Sequence, residues 1–140
     1  MKWFLTKFVR KDHKKDEDYW YNTAEEALDH LRKFIEDDSN LYEKIVASDE
    51  MKNTVLQILV FNAEGKATSY MEGDVVRFNP AYCKEGERRF ICAITNLNDR
   101  TMRANIVCLN SGRSLPFSES VGFEMIDHVG TTVAEIMAST

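Results

Sequence analysis

Two stretches of this chain are apolar on both faces when read as strands, and few folds can hold such a segment. In residues 2–10 (KWFLTKFVR), Trp3, Leu5 and Val9 point one way while Phe4 and Phe8 point the other. In residues 54–61 (TVLQILVF), branched and aromatic side chains again fill both sides. A strand that is apolar on both faces belongs in the middle of a covered sheet. The rest of the chain must therefore supply material above and below it.

One cover is plain. Thr23 with Glu26 three residues later is a capping box, and Ala24, Ala27, Leu28, Leu31, Phe34 and Ile35 follow with helical spacing. Glu25, Asp29, Arg32, Lys33 and Glu36 fall off that stripe, and His30 is read as lying opposite it. The helix is expected to stop near Asp37-Asp38-Ser39-Asn40, where two acids oppose the macrodipole. Before it, KDHKKDED is a solvated charged loop. After it, residues 41–48 fit either a strand or a helical turn, the strand being preferred, and Asn62-Ala63-Glu64-Gly65 turns the chain into a returning strand at 66–71. Residues 1–72 thus read as β-α-β-β-β, one helix laid on an antiparallel sheet. The second apolar face is expected to meet the second half of the chain.

That half, 73–140, opens with Gly73-Asp74-x-Val76-x-Phe78 and is stopped by Pro80. Strands are expected at 89–95 and 102–109, joined by an Asn96-Leu97-Asn98-Asp99 hairpin turn, with a last strand at 121–127 after the Leu115-Pro116 turn. Thr132 with Glu135 marks a short C-terminal helix. The GDxVxF opening, the Phe90-Ile91-Cys92 and Ile106-Val107-Cys108 hairpin strands and the Leu115-Pro116 turn resemble SH3-like small barrels of the KOW, Tudor and bacterial adaptor kind. The resemblance covers somewhat less than half the chain. It implies a five-stranded barrel that binds peptides or nucleic acid in a loop-lined groove. The expected class is α+β: a helix-covered sheet packed against an SH3-like barrel.

Composition excludes several classes. No apolar run approaches the ~20 residues of a membrane helix; the longest, Val55 to Phe61, is broken by Gln57. Lys7, Arg10 and Lys11 interrupt the apolar N-terminus too soon for a signal-peptide core, so an intracellular, cytoplasmic protein is expected. The three cysteines, Cys83, Cys92 and Cys108, form no CxxC pair, and the two in strands read as small buried hydrophobes. His13, His30 and His128 lack metal-ligand spacing. No catalytic motif, metal site or cofactor is expected, and the chain reads as a non-enzyme.

Charge points to a partner. The net charge is −5, and from Asp16 to Glu50 there are twelve acids against three bases. Charge runs usually serve solubility, but an acidic patch also steers association with a basic surface and imitates a phosphate backbone. The candidate acidic face is Glu25, Asp29, Glu36, Asp37 and Asp38. The basic residues Lys2, Lys7, Arg10, Lys11, Lys14 and Lys15 surround Trp3, Phe4 and Phe8, a pattern that suits single-stranded nucleic acid, but the strand reading places those aromatics in the core. In the second half Arg88, Arg89, Arg100 and Arg113, with Tyr82, are the candidate barrel-loop edge, because guanidinium makes bidentate contacts to carboxylate or phosphate. An acidic pI near 5.2 makes general nucleic-acid binding the weaker choice. The leading expectation is a non-catalytic module that occupies a basic surface on a protein partner. A phage or mobile-element inhibitor of a nucleic-acid-handling enzyme, of which anti-CRISPR proteins are one example, suits that description. The alternatives are an RNA- or ribosome-associated barrel and an enzyme of unfamiliar type.

Overall fold

In the computed structural model, which describes residues 2–35, 41–83, 89–110 and 118–129, the chain divides into two compact units, Met1–Tyr70 and Met71–Thr140. Each is built on a five-stranded antiparallel sheet.

The first unit runs β1 (Phe4–Arg10), β2 (Glu17–Tyr21), α1 (Ala24–Arg32), β3 (Tyr42–Asp49), β4 (Thr54–Phe61) and β5 (Ala67–Met71), with strand order β2-β1-β3-β4-β5. The two strands that are apolar on both faces, β1 and β4, lie inside this sheet and not at its edges. On one face Phe8, Ile45, Ala47, Leu59 and Phe61 form a buried cluster with Leu31 of the helix, and Leu28 and Phe34 pack against it. On the other face Leu5, Val46 and Ile58 are buried too. The helix starts where its cap dictates. Thr23 Oγ1 accepts from the Glu26 amide at 3.2 Å and donates to the Glu26 carboxylate at 2.9 Å. A third anchor is buried: Thr6 Oγ1 donates to the Ala27 carbonyl at 2.8 Å, so the one hydroxyl under the helix is satisfied. The helix ends at Arg32, several residues before the expected Asp37-Asp38 stop. Beyond it Phe34 and Ile35 bond back to Leu31 and Arg32 in tightened i to i−3 turns.

The second unit runs β6 (Val75–Phe78), a 3-10 turn at Pro80–Tyr82, β7 (Cys92–Asn98), β8 (Arg103–Cys108), β9 (Ser118–Gly122), a 3-10 turn at Phe123–Met125 and β10 (Ile126–His128). The order is β10-β6-β7-β8-β9. Val76, Cys92, Ile94, Ile106, Cys108 and Val121 are each at most 2 % exposed and form an aliphatic interior. Gly73 opens the unit at φ +88, with no heavy atom within 4 Å of where a Cβ would sit. It is needed for its backbone angle and not for space.

Five expectations are corrected. The class is mostly β: ten strands stand against one nine-residue α-helix among the described residues. Such a helix is ~14 Å long, whereas five strands span ~19 Å between the outer two. It lies on the first sheet without covering it, so α+β with a helix-covered sheet does not describe the molecule. The second unit is an open sheet and not a closed five-stranded barrel: β9 and β10 are its two edges, and no ladder joins them among the described residues. The single strand expected at 121–127 is in fact two, because the buried Phe123 and its 3-10 turn carry the chain from one edge of the sheet to the other. The hairpin turn lies past the expected Asn96–Asp99, because a bulge at Thr95 advances β7 by one residue and buries Leu97 opposite Ala104. The fifth correction is β2, which takes in Glu17 and Asp18 from the end of the expected charged loop and Tyr19–Tyr21, for which no element is expected. The short helix expected at 133–138 and the Leu115-Pro116 turn lie outside the described residues.

Candidate functional site

The strand absent from the sequence reading builds the most distinctive surface. Among the described residues β2 pairs only with β1, in the register Phe4 to Tyr21, Leu5 to Trp20, Thr6 to Tyr19, Lys7 to Asp18 and Phe8 to Glu17. Because Thr6 bonds the helix, the alternation of a strand sends Phe8, Tyr19, Tyr21 and Glu17 to the helix side and Leu5, Lys7, Asp18 and Trp20 to the other. The Trp3 carbonyl accepts from the Glu50 amide at 2.9 Å, which continues the ladder and places Trp3 two residues before Leu5 on the Trp20 side. The two tryptophans of the chain therefore sit diagonally on one face at the sheet's edge, within reach of each other. Trp3 is 40 % exposed, Trp20 43 % and Tyr19, on the other face of the same strand, 42 %. Of the three aromatics of the first strand expected in the core, Phe8 is buried and Phe4 half-buried, but Trp3 is not buried.

A network holds the helix side of this edge still. The Phe8 ring is met by Tyr19 edge-on at 5.4 Å, by Phe34 at 5.1 Å and by Tyr42 and His30 at about the same distance. His30, expected on the solvent face of the helix, stands among these rings: Tyr21 meets its Nδ1 at 2.7 Å, and the Tyr19 ring lies 4.8 Å away. Burial, helped by nearby Lys33, pushes the His30 pKa below its ordinary value, so the ring is neutral at pH 7. The Tyr42 hydroxyl donates to one Glu17 oxygen at 3.1 Å and that of Tyr19 to the other at 3.4 Å. Burial first, and then the bond to Glu17, raise the Tyr42 pKa. Arg10 lies 3.8 Å from Glu17 and makes a forked pair with Asp12. The guanidinium holds the Asp12 carboxyl well below the usual carboxylate range. Rings pinned this way keep few rotamers, so little freedom is lost on binding.

The acidic candidates divide. Glu25 and Asp29 lie one turn apart, with side chains 72 % and 60 % exposed, and Arg32 approaches both at 3.6 and 3.9 Å. Only Asn22 and Thr23 separate their helix from the aromatic strand. Glu36, Asp37 and Asp38 lie outside the described residues.

The loop-arginine edge is not one edge. Tyr82 is 52 % exposed at the end of a 3-10 turn capped by Asn79, whose side-chain oxygen accepts from the Ala81 amide. Arg89 lays its guanidinium over the neighbouring Phe90 ring at 5.2 Å. Both belong to the end of the sheet where β7 begins. Arg100 is exposed in the turn at the far end of the β7–β8 hairpin, where Asn98 caps its amide. Seven strand residues separate the two ends, a distance of ~20 Å, so Arg89 and Arg100 do not converge. Arg88 and Arg113 lie outside the described residues.

One further hollow, of about 300 Å³, is lined by Thr95, Asn105, Glu119 and Ser120 on the second sheet. Arg103 closes its side with two bonds to Ser120. Its four described walls are polar side chains, which suit water better than a small organic ligand. Among the described residues no three His, Cys, Asp or Glu side chains gather as metal ligands, and no helix is long and apolar enough to cross a membrane. No family model, curated protein or solved structure matches the chain.

Proposed function

We propose that this protein is a non-catalytic protein-binding module that docks through the aromatic edge of its first sheet. The observation that carries the reading is the pair Trp3 and Trp20, both about two-fifths exposed on one face at the β2 edge, with Tyr19 equally exposed on the other. A water-facing edge gains nothing from two tryptophans, whereas Trp and Tyr are the residues that most often dominate binding energy at interfaces. Glu25 and Asp29 add charge beside that edge and favour a partner with a basic surface. The acid excess between Asp16 and Glu50 suits a nucleic-acid-handling enzyme whose phosphate-binding surface the module occupies as an inhibitor. RNA contact through the loop arginines is the weaker reading, since Arg89 and Arg100 stand at opposite ends of one hairpin.

The test is affinity capture from the source cell with the tagged chain, followed by titration of the identified partner. Trp20→Ala is expected to raise Kd at least ~30-fold, the effect of losing a central aromatic anchor. Glu25→Lys with Asp29→Lys is expected to slow association and flatten its salt dependence. If the tryptophan variant binds as the parent does, while its far-UV circular dichroism is unchanged, the reading is wrong.

A further inference from the structure

The second unit carries a feature unrelated to that edge: Cys92 and Cys108 are register partners on neighbouring strands, and both are 0 % exposed. The ladder fixes how they face each other. The Leu109 amide donates to the Ile91 carbonyl at 2.8 Å, so Ile91 and Leu109 are a hydrogen-bonded pair. The next pair inward, Cys92 and Cys108, is then a non-hydrogen-bonded one. The Ile94 amide agrees, since it turns away from β8 to bond Asp74 at 3.0 Å. Pairs of this kind bring Cα atoms to about 4.5 Å with the side chains side by side. Disulfides span Cα separations of about 4.4–6.8 Å.

Burial raises the Cys92 thiol to about 12, with Cys108 beside it as the next cause, so Cys92 stays a thiol in the closed sheet. Access comes from the position of the pair. Among the described residues, only Ile91 and Leu109, both half-buried, separate it from the end of the ladder, and the exposed side chain of Asn110 ties that end. Asn110 Oδ1 accepts from the Ile91 amide at 2.8 Å and takes the Cys108 thiol at 3.6 Å, while its Nδ2 donates to the Arg89 carbonyl at 2.9 Å. Local opening at this end, with Asn110 and the Leu109–Ile91 bond released, gives solvent a route toward the sulfurs at less cost than global unfolding.

We propose that Cys92 and Cys108 are a redox site, a dithiol that a hydroperoxide converts to a cross-strand disulfide when the Asn110-tied end of the hairpin opens. One sulfur attacks the peroxide oxygen and becomes a sulfenic acid, releasing one water. The other displaces the sulfenic oxygen as a second water and forms the S–S bond. Two thiols and one hydrogen peroxide thus give one disulfide and two waters. The closed linkage fixes the strand end beside Arg89 and Phe90.

The test uses the full chain carrying Cys83→Ser, which removes the third thiol, exposed to hydrogen peroxide in native buffer. Intact mass is expected to fall by two hydrogens, a non-reducing peptide map to join the Cys92 and Cys108 peptides, and dithiothreitol to restore both thiols. Asn110→Ala is expected to speed the reaction roughly tenfold, the effect of losing hydrogen bonds that hold the end closed. Low urea is expected to leave the rate nearly unchanged, because little surface is exposed in the opening. Addition of oxygen without pairing overturns the proposal. So does a rate that ignores Asn110→Ala, or one that climbs with urea as steeply as global unfolding does.

Discussion

The two units contain five antiparallel strands each, and they finish their surfaces in opposite ways. The second has an aliphatic interior, and the other face of its sheet is largely wet, with exposed Arg77, Asn96, Asn98, Arg103, Asn105 and Ser120 beside the small apolar Val75 and Ala93. An antiparallel sheet with one wet face is at rest in that state. The first has aromatics through its helix-side cluster and leaves Trp3, Tyr19 and Trp20 at its edge, two-fifths exposed. Its outer strand also carries Glu17 and Asp18, which discourage further strand pairing. The edge is thus protected against its own kind while it keeps an apolar contact surface. That contrast supports the proposal that binding lies in the first unit.

The largest test of the contrast is the ring at the centre of the first cluster. Phe8→Ala is expected to destabilise its unit by about 3–5 kcal/mol, because Tyr19, His30, Phe34 and Tyr42 all lose the same neighbour. Urea unfolding followed by tryptophan fluorescence reads it directly, since both tryptophans flank β1. Ile106→Ala in the second unit is expected to cost about 2–4 kcal/mol, by circular dichroism. If Ile106→Ala is the more damaging, the aromatic cluster does not organise the first unit. Smaller tests compare how each unit starts its turns. Gly73→Ala forces a side chain into the left-handed region and is expected to cost about 1–2 kcal/mol. Thr23→Ala removes the helix cap and is expected to cost about 1 kcal/mol. Both are measured by the same urea midpoints.

What could be read from residues alone follows physical range. The Thr23 cap and the strands β1, β3 and β4 rest on local hydrogen bonding and long apolar patterns, so they were legible. β2 was not: EDYWY has two acids followed by three aromatics, with no alternation, and becomes a strand only because β1 offers it a partner. Missing it misplaced His30, since two of the four rings that surround that imidazole, those of Tyr19 and Tyr21, belong to β2. That the second unit is an open sheet could not be read either, because it depends on where Phe123 carries the chain. The acidic residues Glu25 and Asp29 were visible as charge. The exposed edge was hidden because Trp3, within an apolar run, looks like core until the position of β2 shows that the run lies one strand from the edge. The separation of Arg89 from Arg100 likewise depends on register, and the Thr95 bulge that shifts it leaves no mark in composition.

The smallest expected effect tests the aromatic edge most specifically. His30 faces the Tyr21 hydroxyl, the rings of Tyr19, Phe8 and Phe34, and Lys33, with Glu17 one hydroxyl away through Tyr19. Burial lowers its folded pKa below the ordinary 6.5, so as pH falls the unfolded chain takes up the proton first. Its contribution is therefore unchanged above about pH 7 and turns against folding as pH drops through and below 6.5. His30→Phe keeps the ring packing and removes the proton site. The difference in urea midpoint between parent and variant is expected to be flat at neutral pH and to move in the variant's favour below it, while carboxylate effects common to both cancel. Parallel curves would show that the imidazole titrates as though in water. The pinning of Tyr19 and Tyr21 would then rest on Phe8 and Glu17 alone, and the edge would be a looser, poorer binding surface than the geometry describes.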